Sequence, residues 1–225
     1  MPRLNLIVCA LTGVCGAVLN ILGSLCAKYF ELPLFLDTYG TIAATLYGGF
    51  AAGCVAAALT NSAIVFIIAN GETVYILYML CNILTAYITE WFCRKILYRP
   101  VHERAVFPVN KQASTVRRFH AAIEVCIVLF LLSFALVIAM SVLGGLIAFF
   151  IDLFFKDNQY HNGNWKNIPG GWVLYGLVLS FSRHGAGSLA TQILARLPIN
   201  IPDRLISVFS AYLIFRLIPD NRRKT

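Results

Sequence analysis

The stretch LPLFLDTYGTIAATLYGGFAAGCVAAALTN, residues 32–61, is apolar, small or hydroxylated throughout, apart from one carboxylate, Asp37, and a closing amide, Asn61. Its density of Gly and Ala suits two helices packed as a tight hairpin, with Gly48-Gly49 as the connection. A stretch of this kind belongs in lipid. There a carboxylate costs roughly 2.5 to 3.5 kcal/mol at the centre of a helix on insertion scales, and less toward its edge. Asp37 is therefore expected to have a purpose: a cap on the helix that follows Pro33, an ion pair, or both.

The whole chain has the same character. Of its 225 residues 59% are hydrophobic and 12% charged, with a mean hydropathy of +0.76, whereas a soluble domain is about one quarter charged. A spanning helix takes about 20 residues. Apolar stretches occur at 4–27, 33–49, 50–70, 73–93, 121–151, 171–198 and 204–218. The first carries no charge and is longer than the roughly 7 to 15 apolar residues of a secretory signal, so it is read as a retained helix.

Orientation follows from charge. The segment 94–118 holds seven Lys or Arg against Glu103, and Arg222, Arg223 and Lys224 close the chain. Basic connectors of this size stay cytoplasmic. Both termini then lie inside, and the entire formal net charge of +8 falls on that side. Anionic lipid head groups explain such a charge more simply than nucleic acid does, because the cations border membrane segments.

Two inner termini require an even number of crossings. The stretch 171–198 is the one expected not to cross, because Arg183, His184, Gly185 and Gly187 interrupt it and each half is too short to span. The expected fold is therefore an all-α, polytopic membrane bundle of about six transmembrane helices in a multi-pass cell-membrane protein. It forms a single integral membrane domain over 1–225, with a cytoplasmic basic loop at 94–118. Its outer segment, 152–203, contains a broken or re-entrant helical hairpin before the last helix.

Within this frame the polar residues are the candidates for chemistry. Asp37 and Arg204 lie at similar depth near the outer surface, and the hydroxyls of Thr38 and Thr41 are expected on the same pocket wall. Asn61 and Asn82 fall near the middle of their stretches, where they bond each other, nearby backbone or a ligand. Glu72, Tyr75 and Tyr78 mark the outer end of the fourth stretch, the tyrosines as interface anchors or as a stacking wall. Glu90 and Glu124 are expected to pair with cations at the inner face. On the first helix Ala10, Gly13, Ala17, Ser24 and Ala27 make a stripe of small residues, which either packs inside the bundle or docks a separate membrane subunit.

Several chemistries lack their signatures. There is no GxxxxGK[ST], GxSxG, HExxH or dinucleotide-binding glycine pattern, and carboxylates and histidines are dispersed rather than clustered. The seven cysteines form no CxxC and lack His at ligand spacing, so neither a metal nor a cofactor is expected. No enzymatic activity is expected either.

The run LPLFLDTYGTIAATLYGGFAAGCVAAALTN together with INIPDRLISVFSAYLIFRLIP (199–219) resembles the integral-membrane S component of energy-coupling factor transporters. It also resembles the related six-helix sensory modules of bacteria. The shared features are an extended outer segment leading into an LDTxGT-like helix with a Gly-rich turn, and a last helix opened by PDR. The chain departs from the pattern in its long segment 152–198. The resemblance implies a protein that captures a vitamin or other micronutrient from outside. It would pass its cargo inward by docking on a transmembrane coupling subunit driven by ABC-type ATPases. A ligand sensor partnered with a signalling protein, or a small membrane enzyme, are the competing readings.

Overall fold

The computed structural model describes residues 6–67, 73–94, 113–154, 170–183 and 188–217. The helices are α1 (Leu6–Tyr29), α2 (Tyr39–Ile67), α3 (Met79–Phe92), α4 (Ala113–Phe154), α5 (Gly171–Arg183), α6 (Ser188–Leu194) and α7 (Leu197–Leu217), with a 3-10 helix, Thr73–Tyr78, leading into α3. Among the described residues there is no strand. The basic loop falls largely outside them.

The bundle is apolar on its outer surface and buries polar side chains within. On α1, Ile7, Leu11, Val14, Val18, Leu22 and Leu25 are exposed along one face, while Gly13, Gly16, Ala17, Asn20, Gly23, Ser24 and Ala27 are buried on the other. Asn20, Asn82, Asp203 and Arg204 are buried too. Water would favour the reverse arrangement, whereas lipid allows large apolar side chains to face outward. Four segments, Leu6–Tyr29, Tyr39–Ile67, Thr73–Phe92 and Ala122–Phe154, are long and apolar enough to cross a membrane. The chain is thus an all-helical protein with the build of a membrane-embedded one.

One of those four segments is a hairpin. At Gly49 the backbone turns to φ 78°, ψ −176°, a region open essentially to glycine alone. Asn20 Nδ2 then donates to Thr41 Oγ1 at 2.8 Å and to Thr60 Oγ1 at 3.0 Å. In an unbroken helix those two threonines would stand about 28 Å apart. The limbs 39–48 and 50–67 are therefore antiparallel, as the Gly48-Gly49 reading expects. A side chain at the turn forces the backbone out of this conformation. Gly49→Ala is expected to lower stability by about 1 to 3 kcal/mol, checked by thermal unfolding in detergent.

Close backbone approach holds α1 to this hairpin. A Cβ on Gly40 would lie 2.0 Å from the Gly16 carbonyl oxygen, and one on Gly13 would lie 2.6 Å from Val55. The stripe Gly13, Ala17, Ser24 and Ala27 consequently faces inward, and Ala10 alone of the five is exposed. Of the two readings of the stripe, packing inside the bundle describes these four residues. Removing Cβ atoms serves the chain's own α1–α2 contact, and that contact covers the stripe.

The remaining elements alternate in direction. α3 runs back along the second limb, so that Gly53 meets Ala86 and Gly49 meets Glu90. α4 returns, placing Met140 against Thr85. α7 reverses again, with Asn200 donating to Ser141 at 2.9 Å and Phe209 against Phe130. A core of Ile42, Leu46, Leu129, Leu132, Leu136, Val208 and Ala211 joins these helices. At its end α3 carries the expected acidic pairing, Glu90 with Arg94 at 2.6 Å.

α5 and α6 contain 13 and 7 residues, about 20 and 10 Å of helix, so neither spans alone. The first ends at Arg183 and the second begins at Ser188; the expected interruption at His184, Gly185 and Gly187 lies outside the described residues. The last helix, in contrast, starts at Leu197 rather than near Arg204. Pro198 fits its first turn, where an N–H has no partner within the helix, and Pro202 is accommodated inside it. Arg204 therefore does not open the helix; it projects from the helix body into the bundle.

Candidate functional site

The site is built around a piece of chain that is not helical. Between α1 and α2 the backbone of 32–38 runs without helix, and Leu36 adopts φ 48°. A branched side chain in this left-handed region is strained by about 1 to 3 kcal/mol and persists where its surroundings over-determine it. Here the fixing group is Asp203. Its Oδ1 accepts from the peptide N–H of Phe35 at 3.1 Å and of Leu36 at 2.9 Å, and Ser24 Oγ donates to the Phe35 carbonyl at 3.3 Å. Backbone without a helical ladder is tolerated at membrane depth when protein groups supply the missing partners.

The first limb of α2 is capped from another helix. Asn20 Oδ1 accepts from the Gly40 N–H at 2.7 Å while its amide donates to Thr41 and Thr60. The cap is thus Asn20, not Asp37. Asp37 instead meets Arg204, whose Nη2 lies 3.4 Å from Asp37 Oδ1 and 2.8 Å from Asp203 Oδ2. The shorter contact is an ion pair without hydrogen-bond alignment, since Asp203 Oδ2 and Arg204 Nε are buried with no hydrogen-bond partner. Arg204 Nη1 also donates to Thr38 Oγ1. The Arg204 side chain is 4% exposed, Asp203 0% and Asp37 27%, so Asp37 is the member of the group that faces open space.

That space is a cavity of about 120 Å³. A cavity needs only about 10 to 15 Å³ on this measure to hold one water, so there is room here for several. Asp37 and Thr38 contribute from the unwound segment, Asn61 and Ile64 from α2, Tyr75 and Tyr78 from the 3-10 helix, and Cys81 and Asn82 from α3. Met140 and Gly144 of α4, Gly171 and Leu174 of α5, and Arg196, Asn200 and Arg204 around the start of α7 complete it, with Ser24 and Phe35. A 3-10 helix eclipses side chains three residues apart. Tyr75 and Tyr78 accordingly stack, with centroids 6.3 Å apart and planes 24° from parallel.

Seven of the residues expected from sequence therefore meet: Asp37, Thr38, Asn61, Tyr75, Tyr78, Asn82 and Arg204. Thr41 does not join them, because its hydroxyl turns to Asn20. Glu72 lies outside the described residues. The two asparagines do not bond each other. Asn61 Nδ2 donates to the Ala57 carbonyl at 2.9 Å, and Asn82 Nδ2 reaches the Asp37 carbonyl at 3.5 Å. Asn82 Oδ1 is buried and has no hydrogen-bond partner.

Sequence reasoning missed Arg196. It is 4% exposed, and its guanidinium donates to the Gln192 carbonyl at 2.7 Å, to Gln192 Oε1 at 2.8 Å and to Tyr78 Oη at 3.3 Å. Gln192 is anchored in turn by donating to Asp152 Oδ2 at 2.9 Å. Among the described residues no carboxylate lies within ion-pair distance of Arg196. The Gly144-Gly145 pair is the sequence signal for it: a Cβ on Gly144 would lie 3.4 Å from Arg196 Cδ, and one on Gly145 would lie 2.6 Å from Ile193. Small residues on α4 let α6 and the Arg196 stem come close.

In comparisons with known proteins no family model matches the chain, and neither a curated protein nor a solved structure does.

Proposed function

We propose that this protein is the substrate-binding component of a small-molecule uptake system in the cell membrane, a capture protein for a micronutrient that works with separate coupling and ATPase subunits. The observation that carries the reading is the cavity itself. Buried guanidiniums, a carboxylate and an amide oxygen without a partner converge on one cavity within the bundle, the usual anatomy of a site that orients a small ligand. Ionisable groups inside a membrane bundle are costly, and they typically mark a substrate path.

In this reading α1, the unwound segment 32–38 together with the first limb of α2, the second limb of α2, the segment from the 3-10 helix through α3, α4 and α7 make six crossings. The basic loop 94–118 lies in the cytoplasm and the cavity opens outward. Cysteine at Tyr29 in a cysteine-free background should react with an impermeant reagent in intact cells, while cysteine at Arg94 should react only after lysis. Labelling of both from one side removes this topology.

The test of function is mass spectrometry of small molecules released by denaturing the detergent-purified protein. The expected result is one compound in near-stoichiometric amount, reduced in Asn82→Leu. Protein that carries no small molecule, and whose deletion leaves uptake of every tested micronutrient unchanged, would overturn the reading.

A further inference from the structure

We infer that the ligand is a small zwitterion, its carboxylate on Arg196 and its protonated nitrogen between Asp37 and Asn82. This rests on the binding function proposed above and narrows the substrate class. The argument is one of charge placement. Arg204 sits between two carboxylates, Asp203 and Asp37, so that group carries one net negative charge. Its partly open member, Asp37, faces the cavity. Arg196 lines the same cavity with one positive charge and no carboxylate in contact among the described residues.

An uncompensated charge is expensive in a low-dielectric interior. The cavity is therefore dipolar, and a molecule carrying both signs compensates both ends. A dianion such as a phosphate monoester would place excess negative charge opposite Asp37, and a simple cation would leave Arg196 unanswered. The guanidinium is held in place by Gln192, itself tied to Asp152, so it can present its remaining N–H groups to a carboxylate without reordering. Asn82 Oδ1 adds an acceptor next to the Asp37 backbone. It selects a nitrogen that still bears N–H over a quaternary ammonium. Tyr75 offers a flat apolar wall.

The experiment is thermal shift followed by calorimetric titration of the detergent-purified full chain. The probes are the standard α-amino acids, β-alanine, γ-aminobutyrate, δ-aminovalerate, ε-aminocaproate and para-(aminomethyl)benzoate, which scan the separation between the two charges. Each is paired with its carboxamide and its N-acetyl derivative. At least one zwitterion should raise Tm and titrate to saturation. Removing either of its charges should weaken binding at least about thirtyfold. In Arg196→Gln the zwitterion and its carboxamide should bind alike; in Asp37→Asn the zwitterion and its N-acetyl form should bind alike. Arg196→Lys, which keeps the charge, should retain a preference for the zwitterion and guards against a folding defect in the Gln variant.

The inference is overturned if the carboxamide or N-acetyl form binds as well as the zwitterion in the unmodified protein, or if no zwitterion in the panel binds. A co-purifying compound of another charge type would sink the zwitterion and leave the capture function standing. A protein that carries no compound and binds no probe would remove both.

Discussion

Gly40→Ala is expected to be among the most destabilising single substitutions in this chain, although it adds one methyl group. The new Cβ would sit 2.0 Å from the Gly16 carbonyl oxygen and 2.9 Å from Asn20 Oδ1. The first obstacle is backbone, which cannot rotate away. The second is the amide that caps the same helix at Gly40. Overpacking typically costs about 1 to 3 kcal/mol, with more where backbones must part. A loss of about 3 kcal/mol or more is expected, read as a lower midpoint of thermal unfolding in detergent. Gly176→Ala is the matched control, because its Cβ would meet nothing within 4 Å. There the gain in helix propensity, up to about 1 kcal/mol, should dominate. Equal effects at Gly40 and Gly176 would mean that α1 and α2 do not meet through their backbones.

Asp203→Ala should be comparably severe and should exceed Asp37→Ala. It strands the buried Arg204 guanidinium next to a weaker partner and orphans the peptide N–H groups of Phe35 and Leu36. Breaking a buried ion pair by removing one member costs about 3 to 5 kcal/mol. Asp37 has a longer contact, 3.4 Å against 2.8 Å, and is partly exposed, so solvent offsets much of its loss. Asp203→Asn should fall between the two, because an amide oxygen can still accept from Phe35 and Leu36. The measurement is the order of unfolding midpoints with the cavity empty. If Asp37→Ala proves the more damaging, the anchor of the unwound segment has been assigned to the wrong carboxylate.

The contrast between these two carboxylates shows how far the sequence could be read. Asp37 drew notice because a charge inside an apolar run is conspicuous, and Arg204 was the cation at a matching depth. Asp203 has the tighter contacts, yet it sits beside Arg204 in the sequence and passes for an ordinary charge at a helix start. Its role depends on a chain segment that is not helical, and no residue in 32–38 announces the positive φ at Leu36. Asn20, which stands between Ala17 and Ser24 of the small stripe, does not announce its role in the sequence, since the three groups it bonds come from both limbs of α2. The Gly48-Gly49 turn was legible because only glycine reaches its geometry. Arg196 was not, because its burial depends on how α6 packs on α4. The small stripe gave a correct physical signal, close helix approach, but spacing alone does not name the partner.

The clasp between the unwound segment and the last helix also bears on biosynthesis. Phe35 and Asp203 are separated by 168 residues, and a chain emerges N-terminus first at a pace of about 5 to 20 residues per second. For several seconds, then, α1 and the α2 hairpin exist while the carboxylate that secures the Phe35 and Leu36 peptides has not yet been made. During that interval those peptides and Asp37 must be sheltered by the insertion machinery or remain at the water boundary, because lipid offers no partner. Packing of α7 against the other helices is the step that closes this ring of contacts, and a ribosome stalled before residue 203 leaves a bundle whose cavity has yet to come into being.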